Sequence, residues 1–334
     1  MSVTKILHRV ELGANFGPVL ALGGASSSPM KITIFGPGTV GMVLAYTLMT
    51  RHVAREIVLV GRNRLKAEGE ALDMMHAQAF LPVPVKVRAG DIEDAAGSEV
   101  VVMCASIPTP GDFTNRNELA EGNVALMREL LPRIAEVAPD CKIVMVSNPV
   151  DTLTWLAQEL TDFPSERIMG TGTLVDSARF RDLLSGTLSI HPDDLRAYIL
   201  GEHGEHQFPA MSLAQVAGDR IADTPERRKL CEMAKMGGFE VFRRKGNTCY
   251  AIGMAAACVV EAIVMDERRT MPLSVRVGGY LGVDDVCLSL PVVVGKNGIE
   301  RYIFPDLNGE ERASFLKAAD AVRALRDQVC GVPA

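Results

Sequence analysis

No run of basic residues interrupts this 334-residue chain, whose formal net charge is -6 and whose pI is near 5.6. Phosphate backbones need clustered Lys and Arg, so nucleic acid is excluded as the expected partner. No apolar run approaches the roughly 18 residues that span a bilayer. The seven cysteines include no close pair, and several lie in apolar runs where a thiol behaves as a small hydrophobe. Their pattern fits a reducing cytoplasm rather than a disulfide framework. Glu205 and His206, beside His203, lack H-E-x-x-H spacing, and no further Cys or His cluster supplies a third ligand, so no metal is expected. His206 reads as a solvated loop residue, and His76 and His191 as structural. No internal repeat is present. Low complexity is confined to Gly23-Gly24-Ala25-Ser26-Ser27-Ser28-Pro29.

That serine-glycine stretch separates residues 1–29, read as an extension without chemistry, from Met30, the expected functional start. Beyond Met30, short apolar runs alternate with helical ones. Strands are predicted at 31–35, 57–60, 85–88, 100–105 and 142–147, and helices at 40–50, 65–75 and 118–137. Strand, helix, strand in regular alternation predicts an α/β fold with a doubly wound parallel sheet. After about residue 173 the pattern becomes helices mixed with shorter, more polar strands, such as 195–200 and 286–294. The expected organisation is a dinucleotide-binding domain over 30–173 and a smaller mixed α+β substrate domain over 174–334.

Gly36-Pro37-Gly38-Thr39-Val40-Gly41 is a G-x-G-x-x-G between a predicted strand and a predicted helix. Gly36 allows the tight turn, Gly38 lets backbone approach a pyrophosphate, and Gly41 lets helix pack on strand. Thr39 and Val40 open the helix that faces the anion. What is missing downstream is equally informative. A fold of this kind that uses NAD usually carries Asp or Glu about 20 residues on, bonded to the ribose 2′-hydroxyl. Here the second strand runs into Gly61, Arg62, Asn63 and Arg64. A carboxylate ~4 Å from a 2′-phosphate would repel it by roughly 4 kcal/mol per unit charge at an effective dielectric of 20. Gly61 removes that repulsion, and Arg62 with Arg64 offers a cationic fork, so NADP(H) is favoured over NAD(H).

Further on, Asp176-Ser177-Ala178-Arg179 and Gly201-Glu202-His203-Gly204 bring a carboxylate, a guanidinium and an imidazole into one half of the chain. Hydride transfer to a 2-oxo acid needs all three. An imidazole delivers the proton to the carbonyl oxygen, a carboxylate fixes its tautomer, and a guanidinium grips the substrate carboxylate through two parallel hydrogen bonds.

These motifs, together with the segments 66–73, 146–151 (Val-Ser-Asn-Pro-Val-Asp) and 295–300 (Gly-Lys-Asn-Gly-Ile-Glu), make the chain resemble the L-lactate and malate dehydrogenase family from Met30 to about Val329. The resemblance implies that His203 is the proton donor and acceptor, that Asp176 stabilises its protonated form, and that Arg179 binds the substrate carboxylate. It further implies that Asn148 hydrogen-bonds the reacting region beside the cofactor and that Thr248 lines the substrate pocket. Arg116 matches the arginine that polarises the substrate carbonyl when the 105–116 loop closes. The resemblance also implies a homodimer or homotetramer.

The loop departs from the family pattern. The position that holds a second arginine in malate enzymes, or a glutamine in lactate enzymes, falls at Pro108, Thr109 or Pro110, none of which is either residue. Ser106 stands where the family has glycine close to the cofactor. Without a second cation, a dicarboxylate would leave a desolvated charge unpaired. The expected activity is therefore reversible oxidation of an L-2-hydroxy acid to its 2-oxo acid, with a lactate-like or bulkier monocarboxylate. Malate is the alternative. More remote readings are an NAD-dependent glycosidase, which would need a metal-binding Cys and His pair, and a nucleotide sensor without turnover.

Overall fold

Six short segments, mostly apolar except for the edge segment Lys86–Gly90, make strands largely buried on both faces, the composition of a parallel sheet covered by helices. The computed structural model describes the backbone of residues 30–108 and 116–331, and their side chains except those of 116–118. The strands are Lys31–Phe35 (β1), Glu56–Val60 (β2), Lys86–Gly90 (β3), Val100–Met103 (β4), Lys142–Met145 (β5) and Ile168–Gly170 (β6). They pair in the order β3-β2-β1-β4-β5-β6, all parallel. The helices Thr39–Thr50 (α1), Arg64–His76 (α2), Arg116–Val137 (α3) and Val150–Leu160 (α4) connect them. Strand periodicity divides the core into two. Ile32, Ile34, Val100 and Val102 pack on one face, while Phe35, Val101, Met103 and Ile143 pack on the other. Strand order reverses between β1 and β4, which opens a crevice at the carboxyl ends of those strands.

The second half comprises Leu174–Leu188 (α5), Leu195–Arg196 (β7), Ile199–Gly201 (β8), Gln207–Pro209 (β9), Gln215–Val216 (β10), Asp219–Arg220 (β11), Pro225–Lys245 (α6) and Tyr250–Val264 (α7). Arg269–Arg276 (β12), Cys287–Gly295 (β13), Gly298–Tyr302 (β14) and Gly309–Cys330 (α8) complete it. The main sheet does not stop at β6. It continues through β12, β13, β8 and β9 with antiparallel pairing, and β14 pairs with β13.

Two expectations change here. The strand predicted over 195–200 is two pieces in different sheets, because β7 pairs with β10 whereas β8 joins the main sheet. The strand near 286–294 is not polar: β13 is buried along all but one of its positions. β12 escapes a sequence reading because a proline inside a run argues against a central strand. In the structure Pro272 sits opposite Pro291 of β13, so both missing donors fall at one step of the ladder.

Helix α7 joins the two halves by packing on α1 at close range. A Cβ added to Gly253 of α7 would lie 2.5 Å from Val43 Cγ1 and 3.1 Å from the Leu44 backbone nitrogen. Gly253→Ala is therefore expected to force the helices apart and to destabilise the fold by about 1–3 kcal/mol, the usual cost of overpacking. Urea unfolding measures this, and an unchanged midpoint would show that α1 and α7 tolerate separation.

Candidate active site

The glycine turn places backbone where a side chain would block it. Gly36 has φ of +90°, and a Cβ there would lie 2.5 Å from the Ala105 nitrogen at the end of β4. A Cβ on Gly41 would lie 2.3 Å from the Gly36 carbonyl oxygen, whereas Gly38 has nothing within 4 Å and faces open space. Gly38 is also the N-cap of α1 and supplies no side-chain cap, and the first turn of α1 has no acidic residue. Unpaired N–H groups at a helix N-terminus, reached through a turn without side chains, fit the pyrophosphate of a dinucleotide.

A groove of about 710 Å³ runs from this turn past Gly61, Arg62, Asn63 and Lys66 to Ser106 and Ile107. Asn63 caps α2 by accepting the Lys66 N–H at 3.0 Å. Arg62 and Lys66 are exposed on the groove wall. Arg64, expected to form a fork with Arg62, instead pairs with Glu68 at 2.9 Å and Asp91 at 2.8 Å. It thereby neutralises one acid of the groove, and Arg133 pairs with another, Glu93, at 3.0 Å. Thr39 and Val40 begin α1 without lining the groove, and Val40 packs against the core.

The expected catalytic groups converge on a neighbouring cavity of about 490 Å³, lined among others by Asn148, Asp176, Arg179, His203 and Thr248. Asp176, in the first turn of α5, is buried and shares its carboxylate. Oδ2 accepts from His203 Nδ1–H at 2.7 Å and Oδ1 accepts from Arg179 Nη1 at 3.0 Å. Burial raises the pKa of this carboxyl, but His203 and Arg179 outweigh it and hold it below the usual carboxylate range. The ionised carboxylate can only accept, so His203 Nδ1 carries a hydrogen and Nε2 is left as the ring atom for proton exchange. Burial lowers the pKa of His203, and the charge and hydrogen bond of Asp176 more than reverse this, leaving it above its ordinary value.

Helix α6 forms the opposite wall. Gly237 and Gly238 lie against the Arg179 side chain, and a Cβ on Gly238 would be 3.4 Å from Nη1. Phe239 and Phe242 add an apolar surface. A cation absent from the sequence reading also enters, Lys235, but its ammonium contacts the Glu205 carboxylate at 3.0 Å and the Glu205 carbonyl oxygen at 2.9 Å.

Groups outside the cavity hold its rim. Asn123 of α3 is buried, accepts the Ile107 N–H at 2.8 Å and donates to the Asn148 carbonyl at 2.7 Å, tying the loop base to the Asn148 turn. His206 is not simply solvated: its Nδ1 lies 2.8 Å from Glu202 Oε2. His191 Nδ1 accepts the Asp193 N–H at 3.3 Å and caps a short turn. Pro108 is exposed and lines neither the groove nor the cavity. Thr109, Pro110 and the Arg116 side chain lie outside the described residues.

Comparison with known proteins places the chain in a family. Residues 30–170 match the family model of the lactate/malate dehydrogenase NAD binding domain, and residues 173–330 match that of the lactate/malate dehydrogenase alpha/beta C-terminal domain. The chain is similar to an L-lactate dehydrogenase of Salinibacter ruber, 37% identical over 305 residues that cover 89% of this chain and 95% of the relative. It is 36% identical over 307 residues to an L-lactate dehydrogenase of a Synechococcus species, covering 90% and 99% of the two chains. Its fold is similar to the crystal structure of a minor L-lactate dehydrogenase from Enterococcus mundtii, with a TM-score of 0.85, 32% identity, and 90% and 98% of the two chains covered. With both halves of its length matched, the chain belongs to the lactate/malate dehydrogenase family.

Proposed function

We propose that this protein interconverts an L-2-hydroxy monocarboxylate and its 2-oxo acid, with residues 30–173 holding the nicotinamide cofactor and 174–334 the substrate. The observation that carries this reading is the sharing of one buried carboxylate, Asp176, between His203 and Arg179 at the edge of a single cavity. A nicotinamide cofactor, held at the Gly36–Gly41 turn and the groove beside it, would supply the hydride chemistry at substrate C2. His203 Nε2 gives a proton to the carbonyl oxygen during reduction and takes it back during oxidation, while Asp176 keeps the ring oriented and favours its charged form. The free nitrogens of Arg179 grip the substrate carboxylate. Asn148 and Thr248 line the cavity and position the reacting region. Arg116 is assigned the stabilisation of the developing alkoxide, on the family resemblance alone.

Two features support a monocarboxylate with an apolar, even bulky, side chain. Paired glycines inside α6 each cost about 1 kcal/mol of helix stability relative to alanine, and they fall where side chains would narrow the space beside Arg179. Lys235 would be the cation for a second carboxylate, but Glu205 already pairs with it. NADP(H) is the preferred cofactor in this reading, because Arg62 and Lys66 face the groove while two of its three acids, Asp91 and Glu93 but not Glu129, are shown paired with arginines.

Reduction needs protonated His203, whose pKa lies above its ordinary value, so kcat/KM for reduction is expected to stay level through pH 6.5 and to fall only above it. Oxidation has the opposite dependence. A reduction profile that falls below pH 6 would contradict the role of His203.

Initial rates with pyruvate, 2-oxoisocaproate, phenylpyruvate and oxaloacetate, each with NADPH and NADH, test substrate and cofactor together. Monocarboxylates with NADPH should give the highest kcat/KM, and Arg62→Ala should reduce the NADPH preference about threefold to tenfold, as expected for one exposed charged contact. Dominant oxaloacetate reduction would favour a malate enzyme, and an unchanged cofactor ratio in the variant would remove the 2′-phosphate assignment. Gly61→Asp alone is a poor test, since a Cβ there would lie 2.8 Å from the Pro37 ring.

A further inference from the structure

A second carboxylate stands behind the catalytic histidine, and the chemistry above makes no use of it. Asp151, in the first turn of α4, is 4% exposed. Its Oδ2 accepts the backbone N–H of His203 at 2.7 Å, and its Oδ1 accepts the hydroxyl of Ser274 from β12. Three elements far apart in sequence are therefore joined at one group. α4 begins just after Asn148, the segment after β8 carries His203, and β12 is the strand through which the sheet passes from one half to the other.

We infer that Asp151 is a positioning residue that fixes the His203 main chain relative to the Asn148 turn and adds negative charge beside the imidazole. Asp176 sets the ring, and Asp151 sets the backbone that carries the ring. This inference rests on the proton-exchange role given to His203 above. Asp151 faces His203 and Glu202 from the turn after β8, and the Cys287 thiol from β13. His203 in turn faces Asp176 and Arg179 from α5. Burial pushes the Asp151 carboxyl up to about 6, against the hydrogen bonds of Ser274 and His203 that keep it charged at neutral pH. Its charge is among the influences that raise the pKa of His203.

The test compares Asp151→Asn, Asp151→Ala and Ser274→Ala in the full chain. Asparagine can still accept from the His203 N–H, and its amide can face a Ser274 hydroxyl turned to accept, so it removes charge with little change of shape. Ring-labelled histidine NMR reads the His203 titration directly among the six histidines, with its signal assigned by loss in His203→Asn. Asp151→Asn is expected to move the His203 titration, and the pH midpoint of kcat/KM for reduction, to lower pH. Ser274→Ala, which withdraws one donor from the carboxylate, should move both the same way by less. Asp151→Ala should lower kcat on the order of a hundredfold, the scale of a small misplacement of a reacting group, and Asp151→Asn should restore most of it.

A His203 titration unchanged in both Asp151→Asn and Ser274→Ala would overturn the inference, as would a loss of thermal stability with the pH midpoint unmoved. The NMR titration does not depend on turnover. If His203→Asn kept full activity, the proton-exchange reading would fail while the titration still decided whether Asp151 acts on His203.

Discussion

The buried carboxylate of Asp176 is the constraint around which the site is organised. It cannot stay charged at 3% exposure without partners, and the two it has are the imidazole and the guanidinium that the chemistry requires. One electrostatic need, neutralising a buried anion, therefore also sets the tautomer of His203 and brings Arg179 to the cavity edge. The arrangement favours the protonated imidazole beside a cationic clamp, which suits a substrate that is both an anion and a proton acceptor.

The fold serves this by making one sheet from two halves. The parallel strands create the crevice and the glycine turn, while the antiparallel continuation through β12, β13 and β8 delivers His203 to the same edge. Cofactor groove and catalytic cavity are thus placed by backbone pairing rather than by loops alone. Close helix contact at Gly253 and the bridging amide of Asn123 fix what the sheet does not.

What could be read from the sequence depended on the range of the interaction. The glycine turn, Gly61, and the Asp176 and Arg179 pair are local patterns, and each carries its own physical reason within a few residues. The parallel strands were legible because burial on both faces leaves continuous apolar runs. Lys235, Phe239 and Phe242 were not, since a helical residue gives no sign of which cavity its face will meet. Asp151 lies inside a quoted motif, but its partners His203 and Ser274 are 52 and 123 residues away. Arg64 was assigned by proximity to Gly61. One turn of helix puts Glu68 within its reach, and folding adds Asp91, so its charge is spent locally.

The most direct test of the account is kcat/KM for pyruvate reduction by Asp176→Asn, measured beside the binding of the reduced cofactor. A loss of about a hundredfold or more is expected, within the range for general acid–base catalysis, with cofactor binding unchanged. Activity within a few-fold of the parent protein would contradict it, because the carboxylate shared by His203 and Arg179 would then not govern the proton.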